Sequence, residues 1–311
     1  MQKNKKVIEQ NATGVNGWII LDKPSGMSSA KAVAIVKRLT GAKKAGHAGT
    51  LDPLASGVLP IALGEATKTA QFATSATKTY SFSVKFGEET DTDDSLGQIT
   101  NKSEITPSPE KIKTALLEFN GEIKQTPPIY SAIKVKGKRS YDLARKGIAQ
   151  KLEPRNVSIY NIELLKMLSE KEAALEVTCG KGTYVRSLAR DLGKNIGSFG
   201  HVTSLRREKV GIFSAKSAIL LEKLEELVQS AAPLGCLPSG ILLPVEAVLD
   251  DIPVLNLDHS STRLLRNGRP VSAGADCPKH DADICAMEQG KLVAIGRLEG
   301  NMFKPARVFN H

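Results

Sequence analysis

Recognisable catalytic sets are scarce in this chain of 311 residues. No two of its five histidines (His47, His201, His259, His280 and His311) are spaced to share a zinc ion. The run Gly57 to Lys68 contains no Gly-Lys-Ser/Thr, so it is not a phosphate loop of the nucleotide-hydrolase type. A Gly-x-Ser-x-Gly nucleophile elbow is also missing. The four cysteines (Cys179, Cys236, Cys277 and Cys285) have no paired metal spacing and read as reduced thiols of a cytoplasmic protein. No apolar run is long enough to span a membrane. Met1 to Gly14 is polar and Lys-rich, with neither the apolar core of a secretion signal nor the Arg of a transit peptide. The acidic run Glu88, Glu89, Asp91, Asp93 and Asp94 lacks the Gly and final Glu that a calcium loop needs, and reads as a loop fixed by Asx turns. There is no internal repeat and no low-complexity tract.

What is present is an ordinary globular composition, 41% hydrophobic and 24% charged, with a net charge of +10 that is unevenly spread. From Ala247 to His311 there are eight basic and eight acidic residues, so the surplus lies before Ala247. It is densest from Lys124 to Lys151, where Lys124, Lys134, Lys136, Lys138, Arg139, Arg145, Lys146 and Lys151 face one acid, Asp142. Such a local surplus suits a polyanion better than a solvated face. The second concentration is a loop, Gly46 to Gly57, carrying His47 and Asp52 among three glycines. Pro53 disfavours a helical conformation at Asp52, which puts the carboxylate on extended or turn backbone. A carboxylate on a stiff loop suits chemistry, although an ordinary surface turn fits these residues equally well.

Along the chain, Gly17–Leu21 reads as a buried strand and Asp22–Gly26 as a turn. Ser28 or Ser29 caps a helix that Gly41 ends. Val58–Leu63 is a strand, 64–72 a short helix, and Thr79–Phe86 a strand with Tyr80, Phe82, Val84 and Phe86 on one face. By alternation alone Tyr80 is a core residue. A helix from Ser108 to Phe119 precedes Pro127-Pro128, which opens the basic segment, and Pro154 closes it. Strands at Val157–Leu165 and Ala173–Cys179 lead into a helix from about Thr183 to Leu192. That helix has Tyr184 and Arg186 in its first turn. A cation there opposes the helix dipole, a local conflict expected where a residue has another job. Arg206 and Arg207 are adjacent on a strand, His201–Lys209, and Leu220–Val228 is an amphipathic helix. The stretch 231–244 reads as a linker to a small β-rich domain with strands at Ile284–Met287, Leu292–Ile295 and Ala306–Phe309. One loop carboxylate and a basic surface fit an enzyme that acts on a nucleic acid base better than one that carries a cofactor.

The runs GWIILDKPSGMSS, GHAGTLDPLASGVLPIALGEATK, KTYSFSVKFGEETDTDDSLGQI, TPPIYSAIKVKGKRSYDLARKG, GTYVRSLARDLG and HVTSLRR stand in this order between Asn16 and Val248. Together they resemble the tRNA pseudouridine-55 synthase family, the TruB type. The resemblance implies an α+β fold: a mixed, mainly antiparallel central sheet flanked by helices, followed by a small β-rich domain of the PUA kind. It divides the chain into a tail (1–14), a catalytic domain (15–243) with an RNA-clamping insertion at about 124–153, and a C-terminal domain (244–311). It implies a catalytic set of Asp52, Arg186 and Tyr80: Asp52 as the reacting carboxylate, Arg186 against that carboxylate, and Tyr80 as the active-site aromatic that stacks on the target base or moves its C5 proton. His47, Tyr184 and Leu205 then contact the substrate, and Lys23 supports the site. Lys136, Lys138, Arg139, Arg206 and Arg207 become candidates for the RNA backbone. It also implies the T-arm of tRNA as the substrate, with uridine 55 flipped out and isomerised without a guide. The product is an isomer, so the resemblance implies no cofactor and no metal, nor does it imply a protein partner or a membrane, and it fits a cytoplasmic monomer. Two other readings stay open: an RNA-folding factor that does not need the chemistry, and a guide-dependent synthase sharing the Asp loop.

Overall fold

A computed structural model describes residues 14–131, 133–135, 137–144, 146–148, 152–230, 237–238, 240–274 and 283–310. In chain order the first elements are strand β1 (Gly17–Lys23), helix α1 (Ser29–Thr40), and strands β2 (Ala45–His47) and β3 (Ser56–Leu63). Helix α2 (Ala70–Ser75) and strands β4 (Lys78–Phe86), β5 (Glu88–Thr90) and β6 (Ile99–Lys102) follow. Next come helix α3 (Pro109–Leu116) and strand β7 (Gly121–Gln125). The basic segment carries strands β8 (Lys134–Val135) and β9 (Lys138–Arg139) and helix α4 (Ser140–Ala144). Strands β10 (Arg155–Ser169) and β11 (Glu172–Cys179), helix α5 (Val185–Asn195) and strand β12 (Gly200–Val210) complete the centre of the molecule. Strands β13 (Phe213–Ser214) and β14 (Ile219–Leu220) and helix α6 (Leu221–Ser230) close this part. The C-terminal part holds β15 (Val254–Asn256), α7 (His259–Arg266), β16 (Val271–Ser272), β17 (Ile284–Glu288), β18 (Lys291–Glu299) and β19 (Met302–Val308).

The central sheet runs β14-β1-β3-β12-β4-β11-β10-β7, with β2 on β3 and β13 on β12. It is antiparallel except at β1/β14 and at the short β3/β12 contact. Strand β1 shows why the sheet reads as a continuous apolar run. Ile19 and Leu21 enter the core under α1 and α6, while Trp18 and Ile20 enter a second core on the opposite face. A strand covered on both faces loses the apolar–polar alternation of a half-exposed one.

That second core joins the two parts of the chain. Trp18, Ile20, Val58 and Phe213 pack with Cys285, Leu292 and Ile295 of the C-terminal sheet, whose order is β15-β17-β18-β19-β16, and with Phe309 just beyond its last strand in sequence. The Trp18 indole donates to Val245 O at 3.2 Å, and the Trp18 and Leu243 backbones exchange two hydrogen bonds of 2.8 Å. Lys68 donates to Val308 O at 2.7 Å and lies over the Phe309 ring.

Several boundaries differ from the sequence reading. Strand β1 runs on through Lys23, because Asp22 and Lys23 pair with Val58 and Gly57 of β3. Helix α5 starts at Val185, with Tyr184 as the residue before its first turn. Strands β10 and β18 are longer than expected, since their solvent-facing polar residues hide the pattern. The last strand is Met302–Val308 rather than Ala306–Phe309. Helices α4 and α7, the latter capped by the Asp258 carboxylate, and the short strands β2, β5 to β9 and β13 to β16 have no counterpart in the sequence reading, and β5 takes the start of the acidic run that reads as a loop. The tail 1–13, Lys136, residues 231–236 of the linker, and Cys236, Cys277, His280 and His311 lie outside the described residues. Among the described residues no helix is long and apolar enough to cross a membrane.

Candidate active site

The loop between β2 and β3 is held from three sides. Ser28 caps α1 by accepting from Lys31 N, which frees the neighbouring Ser29 for the loop. The Ser29 hydroxyl donates to Leu51 O at 2.9 Å and accepts from Leu51 N at 2.8 Å. The turn after β1 grips the next residues: Gly26 N donates to Pro53 O at 2.8 Å and Ser25 Oγ to Leu54 O at 2.7 Å. The third hold comes from Arg207 of β12. Only 1% exposed, it donates from Nε to Val58 O at 2.7 Å and from Nη2 to Gly49 O at 3.0 Å. Gly57 makes this approach feasible. It has φ +99°, and a Cβ there would stand 2.3 Å from Arg207 O. With so many bonds on the backbone, the conformation of Asp52 is built before any ligand arrives.

Asp52 keeps 31% of its side chain exposed, while Arg186 beside it is 4% exposed. The Arg186 Nε donates to Asp52 Oδ2 at 2.8 Å. Its two other nitrogens are also occupied, Nη1 by Thr92 O at 2.7 Å and Nη2 by Tyr130 O at 2.9 Å. Asp94 Oδ2 lies 3.6 Å from Nη1. The first turn of α5 is a poor place for a cation, and these acceptors are what offset it. The helix start is itself secured by the Gln125 side chain, which accepts from Tyr184 N at 2.8 Å and donates to Tyr184 O at 3.1 Å.

Tyr80 of β4 pairs across the sheet with Arg207 and is 9% exposed. Burial pushes its phenol above the ordinary tyrosine range, against the pull of the Arg207 guanidinium, so it stays protonated at neutral pH. Leu205 of β12 is buried in the same core cluster as Tyr80. Tyr184 is half-buried, and burial raises its phenol too, with Asp52 adding to the shift. His47 ends β2, and its Nδ1 is buried with no protein partner among the described residues. Burial and the Arg207 charge push its imidazole below the ordinary histidine range, which favours the neutral ring. Lys23 is fully buried and donates to Pro24 O at 2.8 Å and Met27 O at 2.7 Å, holding the turn that grips Pro53. Burial lowers its ammonium to about 8, with Asp52 opposing.

The structure thus brings Asp52, Arg186, Tyr80, Tyr184, Leu205, His47 and Lys23 to one region, and removes Arg207 from the RNA-facing candidates. Neighbours on a strand point to opposite faces, so Arg206 and Arg207 cannot share a surface role. Arg207 turns inward to the loop carbonyls. Arg206 turns outward but is held by Asp22 in a two-pronged pair of 3.0 and 2.8 Å. Lys138 and Arg139 form β9 of the hairpin in the basic segment, while Lys136 lies outside the described residues.

Sequence reasoning missed a second set of residues. The acidic loop makes one Asx turn, Asp94 accepting from Leu96 N at 3.0 Å, and Asp91 closes the loop by accepting from Gln98 N, seven residues on, at 2.8 Å. It also faces α5. Arg190 donates to Asp93 at 2.9 Å, to Asp191 at 2.9 Å and to Thr126 O at 2.8 Å. Burial pushes the Asp93 carboxyl up to about 6, against the attraction of Arg190. The available signal was the spacing of Arg186 and Arg190, four apart and therefore on one helix face. Among the described residues no cluster of His, Cys, Asp or Glu is arranged to hold a metal ion.

A model of the TruB family pseudouridylate synthase N-terminal domain matches residues 37–185, and one of the tRNA pseudouridylate synthase B C-terminal domain matches 186–250. A protein of Bradyrhizobium diazoefficiens named tRNA pseudouridine synthase B is 46% identical over 310 residues, covering 99% of this chain and 90% of its own. The chain belongs to the TruB family of pseudouridylate synthases. A second relative of the same name, from a Chelativorans species, is 46% identical over 97% of this chain and 98% of its own. Among solved structures, a Cbf5-Nop10-Gar1 complex contains a chain with TM-score 0.71 and 25% identity, covering 96% of this chain and 91% of that one. An H/ACA RNP bound to a substrate RNA containing 2'-deoxyuridine contains another, with TM-score 0.72 and 24% identity, covering 97% and 92%. The second likeness is one of fold. As a TruB-family synthase the protein is an isomerase. The C-terminal family model ends at residue 250, just before the five-stranded sheet starts at Val254.

Proposed function

We propose that this protein converts uridine 55 of the tRNA T-loop to pseudouridine, without a guide RNA, using Asp52 as the catalytic carboxylate. The names of its relatives, tRNA pseudouridine synthase B, support tRNA as the substrate. The observation that carries the reading is the Arg186–Asp52 pair, 2.8 Å long, whose carboxylate alone reaches solvent. The guanidinium orients the carboxylate, a group that can act as nucleophile or base.

The reaction breaks the bond between N1 of uracil and the ribose, and joins C5 to the same ribose carbon. The C5 proton is lost and N1 gains one. The base must leave the folded loop to reach Asp52, at a cost of a few kcal/mol. Stacking on an aromatic ring returns about 1–3 kcal/mol per base. A phenol held in its protonated form suits Tyr80 to stacking rather than to removing a proton. His47, Tyr184 and Leu205 complete the uridine pocket, with His47 acting as a neutral hydrogen-bonding ring. The segment 124–153 closes over the T-arm and supplies phosphate affinity through Lys136, Lys138 and Arg139. The protein works as a cytoplasmic monomer, with residues 15–243 as the catalytic domain and 244–311 as a PUA-like domain.

The test is tritium release from tRNA labelled at uridine C5, with pseudouridine mapped by position. Asp52→Asn should abolish release and leave tRNA affinity within about twofold. Turnover by that variant at the native rate overturns the assignment. Modification only at another position removes the U55 specificity, and a requirement for added guide RNA removes the guide independence.

A further inference from the structure

We propose that Arg190 and Asp93 form a positioning pair for the Arg186–Asp52 pair. The inference rests on the reading of Asp52 and Arg186 given above.

Arg186 has no freedom of its own. Its Nε is aimed at Asp52 by two backbone carbonyls, Thr92 O and Tyr130 O, which take its two terminal nitrogens. These carbonyls belong to two separate loops, and Arg190 ties both of them to the same helix. One turn further along α5, it binds Asp93, the residue after Thr92, at 2.9 Å and Thr126 O, in the loop leading to Tyr130, at 2.8 Å. Ser187 adds a second bond to Thr126 O, at 2.9 Å. The turn at Asp93 needs holding: its φ is +59°, in the left-handed region that a non-glycine residue enters at a cost. It is held by Arg190, by Asp93 N on Thr90 O at 3.2 Å and by Val202 N on Asp93 O at 3.1 Å. Both partners are nearly buried, with side chains 13% and 11% exposed, so solvent screens the pair little. The other charged groups at the pair are Asp191, which also binds Arg190, Glu89 of β5, and Arg186 and Asp94 on the neighbouring turn. Without the Arg190–Asp93 bond the two loops lose their common anchor, and the Arg186 fork loses the carbonyls that point it.

A misplacement of about 1 Å, caused by a change far from the chemistry, can cost about a hundredfold in rate. The experiment uses the full-length protein and labelled tRNA, with Asp93→Asn, Arg190→Gln and the double variant. Single-turnover tritium release, tRNA affinity and melting temperature are read for each, and Asp52→Asn is the control. The expected result is a single-turnover rate ten- to a hundredfold lower in either single variant, with affinity within twofold of native. The double variant should be no slower than the slower single one, because both changes break the same bond. A folded single variant at the native rate overturns the proposal. So does a rate loss matched by an equal loss of affinity, or strictly multiplicative losses in the double variant. If Arg190→Gln does not fold, the double variant, which keeps an amide pair and leaves no lone buried charge, stands in for it. Activity of Asp52→Asn would instead bring down the reading of the site itself, and that outcome is separate from the others.

Discussion

Arg207→Met separates a buried strut from an RNA contact. The side chain is 1% exposed and its Nε and Nη2 hold Val58 O and Gly49 O, at 2.7 and 3.0 Å. Methionine keeps most of the apolar stem and removes the donors. Two carbonyls left without partners cost about 1–3 kcal/mol each. Part of this is returned, because a guanidinium no longer has to be buried, so a net loss of about 2–4 kcal/mol is expected. Chemical unfolding measures it. A second readout follows from the charge. Arg207 contributes to lowering the His47 imidazole, so in Arg207→Met the His47 titration followed by NMR should move upward. A third follows from the RNA. A residue that neutralises a phosphate contributes about 0.7–0.9 to the slope of log affinity against log salt. Arg207→Met should leave that slope unchanged while turnover falls, since the Asp52 loop loosens. Native stability together with a shallower salt slope would refute the argument and restore Arg207 as an RNA contact.

Trp18→Ala tests whether the two parts of the chain share one core. Truncation of a large buried aromatic costs about 3–5 kcal/mol. Because Trp18 packs with Phe213 and with the C-terminal residues Cys285 and Phe309, both sheets should unfold together at a lower temperature; an unchanged C-terminal transition in calorimetry would contradict this. Lys23 gives the pH prediction. Folded, its ammonium titrates at about 8, against the usual 10.5, so the unfolded chain binds the extra proton between these values. Stability should therefore rise with pH from about 8 to 10.5, by up to about 3 kcal/mol, relative to Lys23→Met. Parallel unfolding curves for the two proteins across that window would show that burial does not depress Lys23.

Most strands and helices from Gly17 to Val210 could be read along the chain, because periods of two and 3.6 are properties of neighbouring residues. The C-terminal part was read less fully. Helix α7 lies in a polar stretch, and its single buried stripe, Thr262 and Leu265, is too short to show a period. Within the site, Asp52 stood out through its glycine- and proline-bounded loop, and Arg186 through its conflict with the helix dipole. The pairing of the two came from the family resemblance, and the structure places them 2.8 Å apart. Arg207 cannot be told from Arg206 along the chain, because two adjacent arginines look alike in a string. Only the strand's alternation and the covered inner face decide which one is buried.

By itself the sequence determined the element types, the stiff carboxylate loop, the basic segment and, through ordered motifs, the family. The tertiary structure decided which charges meet. Asp93 and Arg190 are 97 positions apart, and Asp52 and Arg186 are 134 apart. No local period spans such distances. The pairs form because β4 and β12 are adjacent in the sheet, which sets α5 between the Asp52 loop and the acidic loop. The burial that gives these pairs their strength exists only after that sheet has closed.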